Sequence, residues 1–147
     1  MPQPKRRQYG EASYWDDRYA REPVTFDWYQ GWPGLKEVIL KHFKPEEPLL
    51  HVGAGTSRLQ EGMVREGGFR RVVNVDVSTV VVDQMAKLHS GIAELEYVAA
   101  DVRSMPQFAD GAFAGVLDKG TLDAIVCGQS PVANAAAALA ECCRRDF

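Results

Sequence analysis

Short apolar runs alternate along this chain with stretches in which apolar residues recur every three or four positions. The first rhythm predicts buried strands and the second amphipathic helices. A helix is predicted over residues 35–43, where Leu35, Val38, Ile39 and His42 share a face. Pro33 sits near its first turn, Lys41 and Lys44 lie where cations favour the macrodipole, and Pro45 stops it. A strand over residues 49–52 runs into Gly53-x-Gly55, and a helix is predicted directly behind, over 57–66. Leu59, Met63 and Val64 form its apolar stripe, and Gly67-Gly68 ends it. "RVVNVDV", from Arg71, predicts a second strand. Ser78 is placed to cap the next helix, whose Val81, Met85 and Leu88 fall at i, i+4 and i+7. "LEYVAAD", over 95–101, predicts a third strand, Asp110-Gly111 a turn, and residues 113–118 a fourth strand. Thr121 is placed to cap a short helix, and "ANAAAALAECCRR" predicts the last one.

Strands separated by helices imply right-handed βαβ units and an α/β fold with a parallel sheet. Ligands of such sheets bind at the carboxyl ends of the strands. Here those ends are Gly53-Ala54-Gly55, Asp76, Asp101 and Asp118-Lys119. Residues 1–10 read as a disordered tail, and residues 11–32 are dense in aromatics.

Composition narrows the classes. The chain has 147 residues, 46% of them hydrophobic and 25% charged, which suits one globular domain. A net charge of −3 gives no sign of general nucleic-acid or membrane affinity. The basic Lys5-Arg6-Arg7 cluster reads as solvated tail. No run approaches the ~20 apolar residues of a membrane span, and the N-terminus has no secretory h-region. Cys127, Cys142 and Cys143 are odd in number and have no metal-ligand spacing, so free thiols in a cytoplasmic setting are expected. His42, His51 and His89 form no cluster, and no metal site is expected.

The strand ends carry the chemistry. Gly53 and Gly55 let backbone approach a ligand closely, and the helix behind them favours a negative group. The dinucleotide fingerprint wants a third glycine where this chain has Arg58. Alone, the loop has a lesser alternative, a tight strand-to-helix turn with no ligand. Asp76 can accept both ribose hydroxyls of an adenosine, or cap a turn ahead of Ser78. Asp101 can accept the adenine amino group beside the Val102 amide, or close a turn of its own. Three such groups on successive strand ends together describe an adenosine site.

"YWDDRY", "FDWYQ", "HVGAGTS", "NVDVSTVVVDQM", "AADVR" and "LDKGTLDAI" give the chain a specific likeness. It resembles the class I methyltransferases of the methyltransferase-like family, which includes the eukaryotic lysine methyltransferases of translation elongation factor 1A. Residues 9–128 follow that family's order. The resemblance implies S-adenosylmethionine as cofactor. Trp15, Tyr19 and Trp28 would close over it, Gly53 would meet the methionine moiety, Gly55 would belong to the same cofactor-binding loop, and Asp76 with Val77 would take the ribose. Asp101 and Val102 would take the adenine, and Lys119 would complete the pocket. Phe26, Tyr29 and Trp32 are expected only to pack the N-terminal segment. The chain departs from the family at Ala54, Thr56 and Ala114, and carries His51 where many methyltransferases place an acid.

The implied fold is a Rossmann-like sheet of seven strands, of which this chain supplies the first four, with the second half missing. Residues 11–45 would form an N-terminal lid segment and helix, and residues 46–147 the cofactor-binding half of a partial methyltransferase domain. The implied activity is methylation of a protein lysine on an acceptor such as elongation factor 1A. Asp118 is the nearest candidate for a general base. The rival readings are a truncated, non-catalytic cofactor-binding remnant and a nicotinamide oxidoreductase.

Overall fold

The computed structural model describes residues 8–145. The Lys5-Arg6-Arg7 cluster lies outside them. The elements are α1 (Ala12–Arg21), α2 (Trp32–His42), β1 (Leu49–Val52), α3 (Leu59–Arg65), β2 (Val72–Asp76), α4 (Thr79–Leu88), β3 (Leu95–Ala99), β4 (Gly115–Asp118), α5 (Thr121–Ile125) and α6 (Pro131–Arg145).

The four strands form one parallel sheet in the order β3-β2-β1-β4. Leu49 pairs with Val72 and Gly115, and Val52 with Val75 and Asp118. Every residue of β1 and β2 is buried, because helices cover both faces of a parallel sheet. Side chains alternate between those faces. Leu49 and Val72 join Trp32, Ile39, Leu59, Met63 and Phe69 in one core. Leu50, Val52, Val73 and Val75 join Val102, Met105 and Phe113 in the other. On β4, one edge pairs with β1, and no strand lies on the other edge among the described residues.

Several local expectations need correction. The aromatic stretch contains a helix, α1, with Tyr19 as its buried residue. It docks on the β2–α4 junction: Ser78 Oγ donates to Asp16, and Gln84 Nε2 donates to the Tyr19 carbonyl. Helix α2 starts at Trp32, with Pro33 in its first turn. Its inner face is Trp32, Leu35 and Ile39, while Val38 is exposed. Trp32 fills the space that a side chain at Gly62 or Gly67 would need. In α4, Val82 is buried and Leu88 faces solvent. Ser78 caps α4 as expected, its Oγ accepting from the Val81 amide. Residues 8–10, assigned to the tail, are packed: Tyr9 contacts the rings of Tyr14, Trp15 and Trp28, and accepts a hydrogen bond from Trp15 Nε1. Among the described residues no helix is long and apolar enough to cross a membrane.

Candidate functional site

The carboxyl ends of all four strands open into one cavity of about 540 Å³. That size suits a small-molecule ligand. Trp15, Tyr19, Trp28, Gly53, Gly55, Asp76, Val77, Asp101, Val102 and Lys119 all line it.

The floor is the glycine loop. Gly53 and Gly55 have φ of 60° and 55°, in the left-handed region. Space adds a second constraint. A Cβ on Gly53 would lie 1.6 Å from Thr121 Oγ1, and one on Gly55 would lie 2.9 Å from the Tyr19 hydroxyl. Thr121 therefore does not cap α5, as its sequence position suggests. Its hydroxyl donates to the Val52 carbonyl at 3.1 Å and braces the loop.

Asp76 fixes the loop from β2. Its carboxylate accepts from the Gly55 amide and the Ser78 amide, each at 3.0 Å. Burial pushes its carboxyl up to about 6, although these amides favour the charged form. A buried carboxylate has room for more than two donors, so ribose hydroxyls can join the amides. His51, from β1, is the other buried titratable group of the floor. Its Nδ1 lies 3.0 Å from Asn74 Oδ1, and burial pushes the imidazole down to about 4. It is neutral at pH 7.

At the β3 end, Asp101 is held by its neighbour. Arg103 Nη2 donates to it at 2.6 Å, and the Arg103 amide at 2.9 Å. The guanidinium keeps this carboxyl below the usual carboxylate range. Asp101 thus closes its own turn while lining the cavity.

At the β4 end the expectations change more. Lys119 lines the cavity, but its ammonium is committed to the α1–α2 connection: Nζ donates to Asp27 Oδ1 at 3.0 Å and to the Gln30 carbonyl at 2.7 Å. Asp27 also accepts from Ser57 Oγ, so one carboxylate ties that connection to both the glycine loop and the β4 loop. Tyr29, with φ of 65°, is exposed, and its hydroxyl donates to Asp123 at 2.7 Å. It ties the α1–α2 connection to α5 instead of packing beneath it. Asp118 does not line the cavity. Its carboxylate accepts from the Thr121 and Leu122 amides and caps α5.

The roof is aromatic. Trp15 stacks on Tyr19 with centroids 5.8 Å apart, and Phe26 meets Trp28 edge-on at 5.2 Å. Phe26, expected only to pack, lines the cavity. Sequence reasoning also missed Tyr9, Gly10, Arg18 and Arg103 as lining residues. For Arg18 there was a signal, its place between Trp15 and Tyr19 in the quoted motif. Nothing local marked Tyr9 or Gly10. Among the described residues no cluster could hold a metal.

Residues 50–145 match the family described as "Methyltransferase domain". The chain is 35% identical over 128 residues to the "eEF1A lysine and N-terminal methyltransferase" of Mus musculus, covering 86% of this chain and 18% of that protein. It is 35% identical over 127 residues to the mouse "EEF1A lysine methyltransferase 4", covering 85% of this chain and 49% of that protein. The chain thus spans at most about half the length of these relatives. A crystal structure of a SAM-dependent methyltransferase from Methanosarcina mazei shares the fold, with a TM-score of 0.65 and 14% identity over 83% of this chain and 54% of that one. With a matched family segment that contains all four strand ends, the chain belongs to the class I, S-adenosylmethionine-dependent methyltransferase domains.

Proposed function

We propose that the cavity binds S-adenosylmethionine and that the chain directs its methyl group to the side-chain amine of a protein lysine in the cytoplasm. The carrying observation is the alignment of the Gly53–Gly55 loop, buried Asp76 and Asp101 along one cavity wall. The names of the two mouse relatives support a lysine acceptor on elongation factor 1A. In this reading the adenine lies by Asp101 and Val102, the ribose by Asp76 and Val77, and the methionine moiety over Gly53 and Gly55. The glycines fit such a ligand because a Cβ at either would fill the cradle. Lys119 acts indirectly, by holding the lid through Asp27.

The bound cofactor supplies a methyl group on a sulfonium, open to in-line displacement by an amine lone pair. The chain supplies orientation, the largest contribution available to such a displacement. Trp15, Tyr19 and Trp28 roof the cavity and shield the sulfonium from water. With Asp118 capping α5, the acceptor amine sheds its proton without a dedicated base from this residue.

Titration calorimetry with S-adenosylhomocysteine and NAD tests the ligand class. The thioether is expected to bind more tightly, and Asp76→Ala to weaken it by ~1–3 kcal/mol. Tighter NAD binding would return the chain to the oxidoreductase reading. Tryptophan emission gives a second check. S-adenosylhomocysteine is expected to change it, and the pair Trp15→Phe and Trp28→Phe to remove most of the change. A signal carried by Trp32, which is buried in the core under α3, would refute the lid assignment. Labelled-methyl transfer to elongation factor 1A, with lysine-to-arginine variants of the acceptor, separates catalysis from cofactor binding without transfer.

A further inference from the structure

Tyr29 is held in the left-handed region, at φ of 65°, and is 74% exposed. That conformation is unfavourable for an aromatic residue, and no burial of the ring offsets it. Such strain persists only where surrounding contacts fix it, and it gathers at functional surfaces. Here the contacts come from the chain beyond β4. The Tyr29 hydroxyl donates to Asp123 at 2.7 Å, and its ring rests by Gly120 beside Trp28. On either side of it, Asp27 and the Gln30 carbonyl accept from Lys119 Nζ. The ring is thereby fixed on the outer surface, next to cavity-lining Trp28, Lys119 and Gly120.

Its neighbours complete a patch. Asp123 lies on α5, and Val126 and Cys127 follow in the turn that continues the helix, on the same side. Asp123 and Cys127 are exposed, and Val126 is 48% exposed. The hydrogen bond to Asp123 pushes the Tyr29 hydroxyl above its ordinary range, and Cys127 adds to this. Among the described residues, no cation lies within ion-pair distance of the Asp123 carboxylate. An aromatic face, an apolar side chain and an uncompensated negative charge therefore meet on one surface. A guanidinium or ammonium group complements both the carboxylate and the ring. The opposite side of α5 belongs to the cavity. Ala124 and Ile125 line it, and Thr121 abuts Gly53, which underlies the methionine moiety in the proposed cofactor pose.

We infer that Tyr29, Asp123 and Val126 form a docking patch for the acceptor protein, outside the cavity, and that it receives a basic side chain flanking the target lysine. This docking rests on the proposed transfer to a protein lysine. The spacing follows from α5, which separates the patch from the cavity. A helix with its side chains is about 10–12 Å across, a span of about three extended residues. The basic residue is therefore expected about three positions from the lysine that enters the cavity. It pairs with Asp123 and meets the Tyr29 ring, and its neighbours cover Val126.

The test is steady-state transfer of labelled methyl to elongation factor 1A by the full chain. Asp123→Asn keeps an acceptor for the Tyr29 hydroxyl and removes only the charge. It is expected to raise KM for the acceptor about fivefold and to flatten the salt dependence of KM. Turnover and S-adenosylhomocysteine affinity are expected to stay unchanged. Asp123→Lys is expected to raise KM further. The basic residues of the acceptor within about four positions of the methylated lysine are then neutralised one at a time. One of them is expected to cost the natural protein the same loss and to cost Asp123→Asn nothing more. An unchanged KM, or losses that simply add for every acceptor residue, overturns the inference. So does weaker S-adenosylhomocysteine binding in Asp123→Asn, which would make Asp123 a support for the cavity. A natural protein that binds S-adenosylhomocysteine but methylates no lysine of elongation factor 1A would instead overturn the proposed acceptor.

Discussion

Replacing Gly53 by alanine is expected to destabilise the protein by about 2–5 kcal/mol and to abolish measurable cofactor binding. Two separate effects add at this position. The backbone is left-handed at φ of 60°, which costs an L-residue roughly 1–2 kcal/mol. The new Cβ would also collide with Thr121, whose Oγ1 lies 1.6 Å and Cγ2 2.9 Å from the ideal position. Overpacking of that kind costs about 1–3 kcal/mol. Thr121→Ala removes both atoms but keeps the Cβ of residue 121, 2.7 Å from the ideal position, so it relieves the clash in part. Alone it is expected to cost about 1 kcal/mol, through the lost hydrogen bond to the Val52 carbonyl. In that background Gly53→Ala should cost less, leaving the backbone contribution and the remaining 2.7 Å contact with the Cβ at position 121. Urea unfolding of the four proteins gives the coupling energy. Equal costs for Gly53→Ala in both backgrounds would show that Thr121 is not the obstacle.

Thr121 also shows which parts of the site the sequence could and could not yield. Periodicity placed β1 at its observed bounds, and the strand ends followed from topology, so Gly53, Asp76 and Asp101 were accessible to reasoning. Each belongs to a local pattern. Thr121, by contrast, looks like a helix cap when read beside its neighbours. Its real partner, the Val52 carbonyl, is distant in sequence and adjacent only because β4 pairs with β1. Asp118 takes over the capping: its carboxylate turns along the chain toward the Thr121 and Leu122 amides. Lys119 and Tyr29 follow the same rule. Their hydroxyl and ammonium partners, Asp123 for Tyr29 and Asp27 for Lys119, lie across the fold. Helix α1 was hidden differently. It buries Tyr19 alone, and Trp15, on the same face, lines the cavity, so no full apolar stripe marks the helix.

The second large effect expected is on the acid dependence of folding and of binding, which the two buried titratable groups of the cavity floor drive apart. Asp76 has a folded-state pKa of about 6, above its ordinary value of 3.8. Its ionisation therefore opposes folding, by about 3 kcal/mol above pH 6, and that cost disappears as pH falls toward 4. His51 has a folded-state pKa of about 4, below its ordinary 6.5. Staying neutral costs nothing above pH 6.5, and costs about 3 kcal/mol once acid protonates the unfolded chain below pH 4. Between pH 6.5 and 4 the two trends cancel, and their joint contribution to stability is nearly flat. His51→Gln removes one of them while keeping a donor for Asn74 Oδ1. Its unfolding free energy is expected to rise relative to the natural protein by about 3 kcal/mol as pH falls from 6.5 to 4, since all other titrations are shared. A difference that stays constant over this range would mean that His51 titrates in the folded protein as it does in water. Binding has no such compensation. Protonated Asp76 has lost acceptor capacity for ribose hydroxyls, so S-adenosylhomocysteine affinity is expected to fall about tenfold between pH 7.5 and 5. Acid would then empty the site well before it unfolds the domain, because the imidazole that offsets Asp76 in folding makes no contribution to holding the ribose.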